Sequence, residues 1–220
     1  MIEHILFDLD GTLADTADDL ANALNAIRLK HGLTTLPNEV IRPSVSLGGN
    51  AMIKLAFDLE EGDTGFELIR DEFLNYYRAN IAQETCLFEG MEELLNSLES
   101  ENKPWGIVTN KPSWLTDPLV KAMSLDKRAA CLISGDTLEH RKPHPAPILH
   151  ACKLMQSNPA TTIYIGDAQR DIEAGRRAGT KTLIALYGYI DDGDNPADWC
   201  ADGMVSSPFE IHDKLSEFCN

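Results

Sequence analysis

Short apolar runs and helical periodicities alternate along this chain. The runs at 5–7, 105–108, 131–133, 162–165 and 182–186 are nearly continuous in apolar and β-branched residues, as strands covered on both faces require. Met204 and Val205 read as a late edge strand. Between these runs, helical spacing predicts helices over 91–101 (Met91, Leu94, Leu95, Leu98), 114–123, 145–155 and 169–178, with Gly179 placed to end the last. Strands that alternate with helices predict an α/β fold: a parallel sheet with helices on both faces.

One interval breaks the alternation. From 14 to 84 the pattern is helical throughout. A first helix follows Asp15-Thr16 with Leu20, Leu24 and Ile27 on one face and ends near Gly32; a second covers 51–57; a third carries Phe66, Ile69, Phe73, Tyr77 and Ile81. The expected division is a Rossmann-like core, 1–13 and 85–220, with an all-helical domain, 14–84, inserted after the first strand. The Asp- and Gly-rich stretch YIDDGDNPAD (189–198) reads as an exposed loop.

Charge narrows the partners. The 220 residues include 35 acidic and 19 basic side chains, a net charge of −16, which repels nucleic-acid phosphates and anionic lipid. Neither nucleic acid nor a membrane is an expected partner. Five scattered cysteines (Cys86, Cys131, Cys152, Cys200, Cys219) show no metal or redox spacing and read as reduced thiols. With no leader-like or membrane-spanning run, the expected location is cytoplasmic. The apolar content of the helical insert suits either a monomer or a homodimer.

The chemistry gathers at one edge. In an open parallel sheet, ligands bind beyond the carboxyl ends of the strands. Asp8 and Asp10 follow the first strand in FDLDGTLADT, Thr109 and Asn110 follow 105–108, and Gly166-Asp167 follow 162–165. Lys142 precedes a helix in HRKPHP, and Asp171 lies one helical turn beyond Asp167. Crowded carboxylates raise one another's pKa unless a cation intervenes, and an all-oxygen set suits Mg²⁺, with Asp8 and Asp167 as its ligands. Asp8 could attack phosphorus, splitting hydrolysis into two displacements. Asp10 could then protonate the leaving oxygen and deprotonate water.

Gly11 would permit a turn that aims backbone N–H groups at a phosphate, Thr109 would donate to a phosphoryl oxygen, and Lys142 would neutralise developing charge. Asp15 is expected to cap the first inserted helix together with Thr16. Gly48 and Gly49, in SLGGN, could bring backbone N–H groups to a substrate when the insert closes. Arg42 reads either as a surface arginine or as a carboxylate fork. His140 and His144 read as loop residues, and Trp105, Trp114 and Trp199 as packing residues.

In this order, DLDGT (8–12), Thr109, Lys142-Pro143 and GDAQRD (166–171) resemble the four motifs of haloacid dehalogenase-type phosphatases, and the insert resembles that family's helical cap. The resemblance implies that Asp8 is the nucleophile, Asp10 the acid/base and a metal ligand through its backbone carbonyl, Thr109 and Lys142 phosphate binders, and Asp167 a metal ligand. It places Asp171 behind the metal. Ala168 departs from the small hydroxyl residue common in relatives. LFEGMEELL (87–95), WGIVTNKP (105–112), YGYI (187–190) and DNPADW (194–199) resemble the phosphoglycolate phosphatase branch and, more narrowly, the N-acetylmuramic acid 6-phosphate phosphatases. The expected function is Mg²⁺-dependent hydrolysis of a small phosphorylated metabolite, with 2-phosphoglycolate and N-acetylmuramic acid 6-phosphate as candidates. A phosphosugar mutase, a phosphoacceptor receiver and a non-catalytic binding protein are the alternatives.

Overall fold

The run Ile5-Leu6-Phe7 is fully buried because its strand lies at the centre of a sheet. The computed structural model describes residues 2–191 and 193–218. In chain order it comprises β1 (His4–Phe7), β2 (Ala14–Asp15), α1 (Ala17–Lys30), α2 (Asn38–Ile41), α3 (Gly49–Phe57), α4 (Phe66–Ala79), β3 (Cys86–Leu87), α5 (Met91–Ser100), β4 (Trp105–Val108), α6 (Ser113–Ala122), β5 (Leu132–Ile133), α7 (Ala146–Leu154), β6 (Thr162–Gly166), α8 (Gln169–Ala178), β7 (Lys181–Ala185), β8 (Gly203–Val205) and α9 (Ile211–Glu217). Six strands form one sheet in the order β5-β4-β1-β6-β7-β8, every neighbouring pair parallel. The strand order reverses beside β1, and such a switch point opens a crevice at the carboxyl edge.

The sheet is covered on both faces. One layer packs Phe7, Leu95, Leu98, Trp105, Ile107 and Leu119, and Trp105 meets Phe7 edge-on at 6.3 Å. The other sets Leu6, Val108 and Tyr164 against Ile148, Ala151 and Ala174. As expected, α8 ends at Gly179 in the left-handed conformation (φ +82°). Among the described residues no helix is long and apolar enough to cross a membrane. Cys86, Cys131, Cys152 and Cys200 are free thiols, and burial pushes Cys131 up to about 12. Cys219 lies outside the described residues.

Helices α1 to α4 pack their apolar faces into a separate cluster of Leu20, Leu24, Ile27, Ile53, Phe73 and Tyr77. Two features of this region escape the sequence pattern. The short α2 has too few residues to show a period. The second is a two-stranded antiparallel ribbon, in which Ala14 pairs with Leu87 and Asp15 with Cys86, that ties together the chain's exit from the sheet and its return. Two residues per strand leave no alternation to read.

At this ribbon Asp15 shares its expected capping role. The Tyr189 hydroxyl accepts from the backbone N–H of Thr16 (2.7 Å) and Ala17 (3.1 Å) at the start of α1, and Asp15 accepts the same Ala17 N–H more weakly (3.4 Å). Asp15 also receives the Tyr189 O–H (2.7 Å) and a two-point contact from Arg42 (3.0 and 2.7 Å), whose guanidinium stacks over the Tyr189 ring at 4.8 Å. Arg42 is therefore an internal tie rather than a surface arginine or a ligand fork. Burial raises Asp15, but the Arg42 and Tyr189 hydrogen bonds and the Arg42 charge outweigh it, and its pKa lies below the usual carboxylate value.

A carboxylate shifted down stabilises the fold above its unfolded pKa, and that contribution disappears as pH falls through the folded value. Arg42→Ala is thus expected to cost about 1 kcal/mol at neutral pH, a figure held down by the partial exposure of both partners. Wild type and variant should converge in acid, once pH has fallen through the folded Asp15 value. Urea unfolding at neutral and acid pH checks this, and a difference that persists in acid would show that the Asp15 charge is not what Arg42 stabilises.

Candidate active site

The side chains expected at the carboxyl edge do meet there. Asp8 leaves the end of β1, Asp167 the end of β6 and Thr109 the end of β4, and all three are buried. Asp8, Asp167 and Asp171 each bring a carboxylate oxygen within 4.8 Å of the other two. Burial drives Asp8 up to about 7, with Asp171 and Asp167 adding to the rise and Lys142 opposing it. Burial and Asp171 likewise raise Asp167, against hydrogen bonds from Ser46 and Tyr189.

Lys142 is fully enclosed. Its ammonium contacts Asp8 Oδ1 (2.9 Å), Asp171 Oδ1 (2.7 Å), the Val108 carbonyl (3.0 Å) and the Tyr164 hydroxyl (2.7 Å). Val108 and Tyr164 take hydrogen bonds from the ammonium, and Asp8 and Asp171 are its ion-pair partners. The residue expected to bind phosphate lines the cleft and here neutralises the Asp8 carboxylate. Asp171 sits behind it, one oxygen on Lys142 and the other accepting the Ala168 N–H (3.1 Å). That bond satisfies the Ala168 N–H at the start of α8, while Ala168 itself supplies no side-chain cap.

Asn110 was expected at the substrate, but its amide donates to the Lys142 carbonyl (2.9 Å) and accepts the Lys142 N–H (3.0 Å). Both ends of its side chain hold the Lys142 loop. Gly11 is also corrected in part: its N–H donates to the Ala14 carbonyl (3.0 Å) rather than toward a ligand. It has φ +82°, and a Cβ there would lie 2.2 Å from Asp167 Oδ2. Only glycine lets the β1 loop approach Asp167 so closely. The Thr109 hydroxyl accepts the Lys111 N–H (3.1 Å).

Lys111, Arg170, Ser46 and Tyr189 are site residues that sequence reasoning passed over. Lys111 reaches Asp10 Oδ1 at 2.8 Å, where Thr16 also donates (2.6 Å), and lies 4.7 Å from the centre of the Tyr77 ring. Burial disfavours its charge, but Asp10 and Tyr77 outweigh that and raise its pKa. Ser46 donates to Asp167 Oδ2 (2.5 Å), and Arg170 donates to the Ser46 carbonyl, joining the helical insert to the catalytic edge. Tyr189 gives its N–H to Asp167 (3.0 Å). All four stand inside runs already singled out: Ser46 in SLGGN, Arg170 in GDAQRD, Tyr189 in YGYI and Lys111 in WGIVTNKP. Their partners lie far off in sequence, so spacing gave no reason to choose them.

A cleft of about 810 Å³ separates the helical insert from the carboxyl edge, with Asp8, Asp10, Thr109 and Lys111 on one wall and Gly48, Gly49 and Tyr77 on the other. The glycine pair opens α3, with Gly48 at φ +89°. His140 and His144 stack on each other at 4.2 Å outside it. Trp105 and Trp199 are packing residues, whereas Trp114 lines the cleft. The donors fit a hard divalent cation: all are carboxylate oxygens, burial and then neighbouring carboxylates raise the pKa of Asp8 and Asp167, and the Gly11 turn leaves no space for a side chain against Asp167.

Residues 5–185 match the family described as haloacid dehalogenase-like hydrolase. The chain is 43% identical over 210 residues to an N-acetylmuramic acid 6-phosphate phosphatase of Pseudomonas putida, covering 96% of this chain and 94% of that protein. It is 41% identical over 207 residues to a phosphoglycolate phosphatase of Xanthomonas campestris pv. campestris, covering 94% and 93%. A crystal structure of a predicted phosphoglycolate phosphatase from Haemophilus somnus 129pt superposes with a TM-score of 0.85 at 26% identity, covering 97% of both chains.

Proposed function

The chain belongs to the haloacid dehalogenase-like hydrolases and is a phosphatase, and on that premise we propose that it hydrolyses a small phosphorylated metabolite in the cytoplasm, with Mg²⁺, through an aspartyl phosphate on Asp8. N-acetylmuramic acid 6-phosphate and 2-phosphoglycolate, the substrates that name the relatives, are the candidates. The observation that carries the mechanism is the buried contact of Lys142 with Asp8 at the switch point of the sheet. In this reading 14–84 is the cap and 1–13 with 85–220 the catalytic core.

Asp8, the backbone carbonyl of Asp10 and Asp167 would hold the cation, with Asp171 and Lys142 behind them. A bound Mg²⁺ supplies charge screening between phosphate and carboxylates and polarises the phosphoryl oxygens. Asp8 attacks phosphorus as the bond to the leaving oxygen breaks, and Asp10 gives that oxygen its proton. Lys111 and Thr16, already on Asp10 Oδ1, stabilise the carboxylate so formed. Asp10 then takes a proton from the water that attacks the phosphoaspartate, which restores Asp8 and releases inorganic phosphate. The Ser46 and Arg170 contacts hold the cap loop against the site while water is excluded.

The test is phosphate release from both candidates and from common sugar phosphates, with added Mg²⁺ and after chelation with EDTA. Turnover should depend on metal and return on readdition. Metal-independent turnover would remove the cation from the reading. Conversion to an isomeric phosphate ester, with no inorganic phosphate formed, would identify a mutase.

A further inference from the structure

The proposed chemistry uses the floor of the cleft and leaves its far end unexplained. Helix α4 lines the cleft with Arg70, Phe73, Leu74 and Tyr77 at i, i+3, i+4 and i+7, the spacing of a single helix face, and with Asp71 beside Arg70. Tyr77 marks the phosphate end, since its ring lies over Lys111, which holds Asp10. Arg70 stands seven residues earlier, about 10.5 Å along the helix axis. The two are joined by the apolar wall of Phe73 and Leu74.

The Arg70 guanidinium is incompletely satisfied. Its contacts to Glu67 Oε2 (2.5 Å) and Asp71 Oδ1 (3.4 Å) both leave from Nη2, and those two carboxylates are more than 60% exposed. Nε is buried and has no hydrogen-bond partner. A buried N–H on a charged group remains costly until an acceptor reaches it, and a carboxylate engages the side of an arginine fork with charge-assisted bonds.

We propose that Arg70 is a specificity-determining residue that binds a carboxylate on the leaving portion of the substrate, two helical turns from the phosphate site. This rests on the phosphatase reading above and sharpens it. The carboxylate of a two-carbon phospho-acid lies only about 4 Å from phosphorus by ordinary bond lengths, too near to reach Arg70. A phosphorylated sugar acid spans the interval, with its ring against Phe73 and Leu74.

Steady-state kinetics of wild type, Arg70→Ala and Arg70→Lys on three substrates test this: N-acetylmuramic acid 6-phosphate, N-acetylglucosamine 6-phosphate, which keeps the phosphorylated amino sugar without the acid, and p-nitrophenyl phosphate. Arg70→Ala should raise KM for the sugar acid roughly 30-fold or more, with kcat little changed. Arg70→Lys, which keeps the charge but not the fork, should fall between. The two neutral substrates should be hydrolysed as by wild type, which also shows the variants folded. Equal effects on acid and neutral substrates, or none on any, would overturn the role of Arg70 and leave the phosphatase reading standing. Wild type that turns over p-nitrophenyl phosphate but not the sugar acid would overturn this inference together with that candidate substrate. Inactivity on all three, on 2-phosphoglycolate and on the sugar phosphates would overturn the functional reading itself.

Discussion

Asp8→Asn is expected to lower phosphate release by on the order of 10⁴-fold or more, because in the proposed mechanism it removes the nucleophile and with it the covalent route, leaving only binding and electrostatic effects. The fold should persist. Asn matches Asp in shape, and burial already disfavours the Asp8 charge, with Asp171 and Asp167 adding to that penalty. A carboxyl group whose folded pKa is raised makes its largest contribution to stability below the unfolded value near 3.8, and that contribution is lost as pH climbs toward about 7. The metal-free protein should therefore lose stability over that interval, and Asp8→Asn should lack this component of the slope. Acid-quenched reactions with ³²P-labelled substrate give the decisive readout: labelled protein in wild type and none in the variant. Label that survives in Asp8→Asn would place the phosphoryl acceptor elsewhere.

Lys142→Met is expected to act on folding as well as on turnover. The side chain is wholly enclosed between Asp8 and Asp171, and its removal strands two buried carboxylates. Breaking such a pair from one side costs about 3–5 kcal/mol, a large part of the roughly 5–15 kcal/mol that holds a domain folded. Activity should vanish because Asp8, already raised by burial, loses the one cation that opposes that rise most strongly. Adding Asp171→Asn should recover much of the lost stability and none of the activity, since Asp8 remains without its counter-ion. Urea unfolding of the single and double variants measures this. A Lys142→Met protein within about 1 kcal/mol of wild type would mean that the carboxylates find another cation or take up protons without cost.

Much of the core was legible because its signals are local. Four-residue apolar runs such as 105–108 can only be central strands in a chain of this composition, and 169–178 with Gly179 carries its own helix period and stop. Asp8, Thr109 and Asp167 follow their strands directly, so the rule that ligands gather at the carboxyl edge sorted them from other polar residues. These placements depend on neighbours one to four residues away, and the chain itself supplies those.

The rest depended on partners that only folding brings together. Lys142 stands out as a site residue in the sequence, yet nothing at 142 reveals that Val108, Tyr164 and Asp171 will surround its ammonium beside Asp8. Asn110 looked available until the Lys142 backbone filled both ends of its amide. Asp15 shares its expected capping role with a tyrosine 174 positions away. The sequence by itself determined that Asp8, Thr109 and Asp167 stand at the carboxyl edge of the sheet, since strand and loop identity follow from short-range pattern. The tertiary structure alone decided what each of those groups is bonded to, because a buried donor or acceptor takes the partner that lies nearest in space.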